Sequence, residues 1–445
     1  MKTDLKNKCE KLLGYAKKYG ATNSDVILSR GDSFSLTSQN GDIDKYKVSG
    51  SQVVGVRVIK DSKVGISYSE SMDDESLEFT AKSALENAEN SEENLFESEM
   101  FNCGDQIFKS EFEKDSSSTQ DKIDLCLKLE SEVKKRDSRI DVVPYNGYSE
   151  SNGESYYLNS KGTFSYNSEY YQSCYTSALL KVGDKNGMHY HGSIGRNLKD
   201  LDLDSCIDES IVHASQWLEA SPLKTGNYDI IFTTDSLSQI LGLFSNIFSG
   251  KGAMEKNNPF AEKLNTKIAG EALSIMDIPD YENAFFKSYV DSEGLKHKKL
   301  SLIKDGVLSS FYHNSVTAKY FGVESTAHAS RGAKSSLGVG GTTKVVLAGK
   351  DSDSSVKASE YFEVHTLQGL HSGANVVSGD FSFAASGYLC KDGVRNQPVK
   401  GVTVSGNFHK LLLDINILGD KIHSTSDNSF FSPLIRFEKM SVAGV

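Results

Sequence analysis

Apolar residues near the start of the chain recur at helical spacing. Leu5, Cys9, Leu12, Leu13 and Ala16 share one face, which predicts an amphipathic helix lying on a sheet. From residue 24 the pattern becomes strand-like. Strands are expected over 24–38, 42–49, 52–60 and 63–69, with Asn40-Gly41 as a hairpin turn and Lys60-Asp61-Ser62 as a second turn. A helix over 73–90 completes a first α+β module. The acidic run SEENLFESEM (91–100) reads as a solvated boundary.

A second module is expected over 113–222. Its helix at 119–135 leads into DVVPYNGYSES, ESYYLNS, GTFSYNSEYYQSCYTSALLKVGDK and MHYHGSIG, strand-like segments set apart by Asn, Gly and Ser turns. A further helix carries Ile207, Ile211, Ala214 and Leu218 on one face, with Trp217 read as core beside it. The third part, 223–445, opens on the buried strand YDIIFTT and the helix SLSQILGLFSNIFSG (236–250). Strand and hairpin signals then run from FFKSYVDSEG to SPLIRFEKMSVAGV, interrupted by one short helix, NFHKLLLDI. The fold class implied is α+β in three parts, 1–112, 113–222 and 223–445, the last a large, mainly antiparallel β domain.

Composition narrows the function. The chain has 445 residues with 37 Gly, 6 Pro, 20 Tyr and 22 Phe, which favours sheets and hairpins over disordered linkers. Its formal net charge is −11 and it has no basic block, so direct nucleic-acid binding lacks its main driving force. No apolar run reaches the ~18 residues that a membrane span needs. The segment MKTDLKNKCEKLLGYAKKYG is charged throughout and reads as a helix, not a signal peptide. Six scattered cysteines without a C-x-x-C pair read as reduced thiols of a cytoplasmic protein.

The nucleophile-elbow, P-loop and dinucleotide-binding motifs are absent; the run GVGGTTK leads into a strand, not a phosphate-cradling helix. His189 and His191 would point to one face of a strand and could share a metal. No nearby carboxylate offers a third ligand, so a surface or packing role is favoured. His213 has no Glu after it and no second His within a turn. The remaining candidates lie late in the chain. Arg331 and Gly332 sit in AHASRGAKSSLG, and His371, Gly373, Gly379 and Asp380 sit in HSGANVVSGDFSFAASGYLCKDG. Glycines beside strands allow close backbone approach, as strand addition by an extended peptide requires. Turns and close sheet packing explain the same composition.

Three segments carry a resemblance. They are NGDIDKYKVSGSQVVGVRVIKDSKVGISYSE (40–70), SYVDSEGLKHKKLSLIKDGVLSSFYHNSVTAKYFG (288–322) and SGDFSFAASGYLCKDGVRNQPVKGVTVSGNFHKLLLDINILGDKI (378–422). In this order, and over nearly the whole chain, the sequence resembles the TldD/TldE (PmbA) family, once called modulators of DNA gyrase. The resemblance implies a cytoplasmic protease, built from two similar chains, that degrades unfolded or flexible peptides. In the catalytic TldD chain, H-E-x-x-x-H on the helix after the first strand of the last domain supplies two metal-binding histidines and a glutamate base. A cysteine near the C-terminus completes that site. Here the corresponding helix, 236–250, has no His and no Glu, and STSDNSFFSP (424–433) has no Cys. The chain is therefore similar to TldE, the partner without the metal site.

This resemblance implies no catalytic residue and no metal or other cofactor in this chain, with a metal, zinc by expectation, held by a TldD-type catalytic subunit. It also implies that Arg331, Gly332, His371, Gly373, Gly379 and Asp380 line a shared cavity. Expected partners are the TldD-type subunit, unfolded peptides and, as an alternative, a second copy in a homodimer; neither nucleic acid nor membrane is expected. Three other readings stay open: a self-sufficient homodimeric metallopeptidase using ligands such as His189 and His191, a peptide-binding module without turnover, and an indirect modulator of DNA gyrase.

Overall fold

The computed structural model describes residues 2–97, 100–108 and 114–445. The predicted boundary at 112/113 and part of the acidic run before it lie outside the described residues. Helix α1 (Lys2–Lys18) precedes a hairpin of β1 (Asn23–Gln39) and β2 (Asp42–Lys60). Asn40 and Gly41 turn it with φ of 57° and 82°, the left-handed pair that an Asn-Gly turn supplies. Two expected strands, 42–49 and 52–60, are one. Gly50 stays in register opposite Asp32, so the ladder continues through it. Then follow β3 (Lys63–Ser69), α2 (Asp74–Glu89), β4 (Asp105–Phe108), α3 (Thr119–Arg136), β5 (Ile140–Val142), β6 (Asn146–Asn159), β7 (Phe164–Val182), β8 (Lys185–Gly195) and α4 (Leu203–Leu218).

The strands before and after α3 form one sheet. Residues 25–37 of β1 pair antiparallel with 147–159 of β6, giving the order β3-β2-β1-β6-β7, with β4, β5 and β8 also on β7. Side chains alternate across such a sheet. Val26, Leu28, Val54, Val56 and Val58 meet α1 and α2, while Phe34, Leu36, Tyr148 and Cys174 meet α3 and α4. All four helices thus cover one face. The other face, with Ile27, Val53 and Tyr157, packs on Ala333 of the C-terminal domain.

Gly55 sits on that second face. A Cβ there would overlap the Ala333 carbonyl oxygen well inside van der Waals contact. Gly55→Ala is therefore expected to lower stability by about 1–3 kcal/mol, the usual cost of overpacking, read as a shift in the urea midpoint. A variant as stable as the parent would show that sheet and domain part freely.

The C-terminal domain starts with β9 (Gly226–Phe232) and α5 (Thr234–Leu243). Strand Glu360–Gln368 runs parallel to β9, and the hairpin of Asp380–Lys391 and Val394–Asn407 extends the sheet beyond it. Strand Ile435–Ala443 flanks the other side of β9 and also pairs with Val394–Asn407, through Thr403↔Ala443 to Ser405↔Ser441. The sheet thereby closes into a small barrel. A second sheet of short strands includes Ile275–Asp277, Leu300–Lys304 and Lys344–Val346. Between the two lies the largest core, where Leu237, Ile240 and Phe244 meet Phe362, Ile275 and Val346. The fold is α+β with mostly antiparallel sheets.

Two expectations in this part change. FFKSYVDSEG (285–294) has the aromatic spacing of a strand but runs as an irregular loop. Its amides bond locally or to the next loop: Ser288 to the Pro279 carbonyl, Asp291 to Leu295 and Ser292 to Ala329. The helix expected over 236–250 ends at Leu243 and gives way to a tighter turn, Ser245–Phe248.

Candidate functional site

Helix α5 begins at Thr233, whose hydroxyl accepts from the Ser236 amide, and buries Leu237, Ile240 and Leu241 in the core. The segment 424–433 passes beside its first turn. There the amide and hydroxyl of Ser426 donate to Asp235 Oδ1 at 3.1 and 3.0 Å. Asp427 Oδ1 accepts from the hydroxyls of Thr425 and Ser429 at 2.7 and 2.6 Å. The helix and the segment on which the resemblance places metal ligands in a catalytic chain therefore do meet. They meet through Asp235 and Ser426, while Asp427 is held by hydroxyls of its own segment, and neither element contributes a His, Glu or Cys. This donor set does not fit a protease metal. Among the described residues no group of three or more His, Cys, Asp or Glu could hold a metal ion.

Past the C-terminal end of α5 the surface opens into a cleft of about 540 Å³. Leu243, Asn246, Val339, Gly340, Gly341, Val376 and Val377 are among the residues that line it. Tyr312 and Lys344 line it as well. Gly341 is needed here: a Cβ would sit 2.7 Å from Asp277 Oδ2 and closer still to the Tyr312 hydroxyl. Behind this wall Asp277 is fully buried. It accepts from the Tyr312 hydroxyl and the Thr342 amide at 2.8 Å each and from the Thr342 hydroxyl, and it faces His328 Nε2 at 3.3 Å. Burial pushes the Asp277 carboxyl up, but the hydrogen bonds from His328, Thr342 and Tyr312 outweigh it and hold the group below its usual range. Lys344, half-buried, shows the opposite balance. Burial pulls its ammonium below the ordinary lysine range, and the Asp277 charge offsets this only in part.

The six residues singled out in the sequence do not converge on one cleft. His371 is exposed. Gly373 lets its loop lie against the Ser382 carbonyl, and Gly379, buried with φ 84°, leaves only 2.9 Å between a would-be Cβ and the His409 ring. Asp380 is exposed and accepts from Asn407 Nδ2 and Ser378 Oγ at 2.8 Å each. These four shape a loop whose tip, Val376 and Val377, reaches the cleft. Arg331 lies elsewhere, buried against Asp25 of β1 and lining a smaller cleft of about 160 Å³ between the first sheet and residues 288–292. Gly332 is exposed beside it. Lys344, Tyr312, Gly341 and Asp277 were not singled out. The signal available was a lysine inside the strand pattern TTKVV, directly after a glycine run.

His189 belongs to a packed stack of rings. Its centroid lies 4.7 Å from that of His213, which lies 5.1 Å from that of His365, where α4 and β8 meet the barrel. Both His213 nitrogens are engaged: Nε2 is 3.0 Å from Glu209 Oε2, and Nδ1 bonds the Tyr388 hydroxyl. Burial, and then neighbouring histidines, push His189 down to about 3 and His213 to about 4.

Models for three successive domains of one metallopeptidase family match the chain. The PmbA/TldA metallopeptidase domain 1 matches residues 24–88, the central domain 112–215 and the C-terminal domain 225–444. The chain belongs to the PmbA/TldD family. Metalloprotease PmbA of Escherichia coli O157:H7 is 22% identical over 434 residues, spanning 95% of this chain and 92% of that protein. Among solved structures, a putative modulator of a DNA gyrase from Thermotoga maritima superposes with a TM-score of 0.86 at 24% identity, over 99% of this chain and 100% of that one. TldE from Thermococcus kodakarensis gives 0.81 at 21% identity, over 98% and 100%. The likeness to these two structures is one of fold, and it extends over the whole PmbA/TldD architecture.

Proposed function

We propose that this chain is the non-catalytic subunit of a PmbA/TldD-type metalloprotease. It holds unfolded or flexible peptides in the cleft beside α5, and a TldD-type catalytic subunit supplies the metal and the base. One observation carries the reading: α5 and segment 424–433 still meet, but without the His, Glu or Cys that would hold a protease metal and supply its base, and with their aspartates taken up by serine and threonine hydroxyls, while the neighbouring cleft is open. Metal-assisted peptide hydrolysis needs ligands to hold the ion and a base to take the proton from bound water. An extended segment fits such a cleft; a compact folded domain does not. The six cysteines are free, in keeping with a reducing, cytoplasmic setting. Among the described residues no helix is long and apolar enough to cross a membrane.

The test is metal content and casein hydrolysis by the purified chain, alone and mixed with a TldD-type subunit. Metal-free, inactive protein that raises the partner's turnover on mixing is the expected result. Stoichiometric metal with turnover by the isolated chain would overturn it and favour the self-sufficient peptidase.

A further inference from the structure

Among the described residues, Lys344 is the one charged residue lining the cleft beside α5. Its ammonium has no ion pair within reach among the described residues. It lies 6.0 Å from the Tyr312 ring centroid, a distance at which ring attraction is weak. The nearest acid, Asp277, sits opposite it in the strand ladder but is already occupied by the Thr342 amide and hydroxyl and the Tyr312 hydroxyl. A half-buried cation without a counter-charge is costly unless something pairs with it. The rest of the wall is uncharged. Val376 and Val377, 37% and 58% exposed, give an apolar rim, and the glycines leave room for a chain to lie close.

We propose that Lys344 is an anchor for a carboxylate of the bound peptide, so that this cleft selects extended segments carrying a free C-terminus or an acidic side chain. The proposal rests on the peptide-binding reading above and adds the chemical class that the cleft prefers. A carboxylate reaching Lys344 neutralises the buried charge, and the flanking chain lies along Gly340 and Gly341 beside the two valines. Binding should also restore the lysine's preference for its charged form, since desolvation is what weakens that preference in the free chain.

The experiment uses the full chain and a fluorescent Ala/Ser/Val peptide of about ten residues, long enough to lie extended in a groove. It is made with a free C-terminus, with a C-terminal amide, and as the amide carrying one internal Glu. Fluorescence anisotropy gives the affinities. A charge-assisted bond predicts that the free acid binds about tenfold more tightly than the amide. Lys344→Met should remove that difference by bringing the free acid to the level of the amide, with Lys344→Gln as a second variant and thermal melts to confirm folding. Recovery of affinity by the internal Glu identifies a side-chain carboxylate as a sufficient source; no recovery assigns the anchor to the C-terminus. Equal binding of acid and amide by the native chain overturns the carboxylate anchor while leaving the peptide cleft standing. No binding of any peptide overturns both.

Discussion

Asp25→Ala is expected to cost about 3–5 kcal/mol of folding stability, the range found when a buried ion pair loses one partner. The carboxylate bridges two arginines. Its Oδ2 lies 2.8 Å from Arg57 Nε and 2.7 Å from the Nη2 nitrogen of the same side chain, and its Oδ1 accepts from Arg331. The Asp25 side chain is fully buried and that of Arg57 is 2% exposed. Burial alone would pull the Arg57 guanidinium down, but Asp25, Glu97 and Glu293 together raise it. Arg331 has less support: its Nε and one terminal nitrogen make no hydrogen bond. Without Asp25 it loses its ion pair while still facing Arg57. Because Asp25 belongs to β1 and Arg331 to the C-terminal domain, the loss falls on the seam between them. Urea denaturation and limited proteolysis of the seam measure both effects. A loss below about 1 kcal/mol, the worth of an exposed pair, would show that the network is not structural, and would return Arg331 to the ligand-binding role first read for it.

That seam also shows where the sequence stops being legible. The helices α2 and α3 are readable to within a residue because caps mark them, whereas the one expected over 236–250 stops at Leu243. Asp73 and Ser118 each accept from the third amide of their helix, and α2 and α3 run over 74–89 and 119–136 against expected spans of 73–90 and 119–135. The Asn40-Gly41 hairpin was equally plain. The pairing of β1 with β6 was not. Alternation gives the face of a strand but not its neighbour, so two modules read separately share one sheet. Asp25 and Arg57 occupy positions that alternation gives to solvent, yet they are buried because a second domain covers that face. For the site, the missing His, Glu and Cys could be read directly from the segments that would carry them. Where the cleft lies could not, since it is made by residues from five separate stretches, Leu243, Asn257, Tyr312, Lys344 and Val377 among them. The glycines of the 371–380 loop mark close packing at Ser382 and His409, and the residues that reach the cleft are the two valines between them.

Between pH 6.5 and 4 the parent chain is expected to lose about 3 kcal/mol more stability than His213→Gln, at ~1.4 kcal/mol per unit of pKa difference. His213 is 6% exposed in its side chain and sits where α4 meets the barrel. Burial first, and then the charges of His365, Arg395 and His191, together lower it to about 4 against the opposing pull of Glu363. Glu209 lies on the same helix at 3.0 Å, and Tyr388 approaches from the barrel. The sign follows from which state takes the proton. An unfolded chain protonates this ring near its ordinary value of about 6.5; the folded chain resists until about 4. The contribution is therefore whole above pH 6.5 and is lost as the pH falls towards 4. Glutamine cannot titrate, so its variant lacks this slope, although it is less stable than the parent at pH 8 for want of the stacked ring. Comparing the two chains cancels other groups that titrate in the same window, such as Asp291, pushed up to about 7 by burial and the Glu293 charge, whose effect has the opposite sign. Urea midpoints at pH 8, 6.5, 5 and 4 give the two curves. Convergence at low pH bears out a neutral, buried histidine holding the middle of the chain to the barrel; parallel curves would mean that the ring titrates as it does in water and that this contact is open.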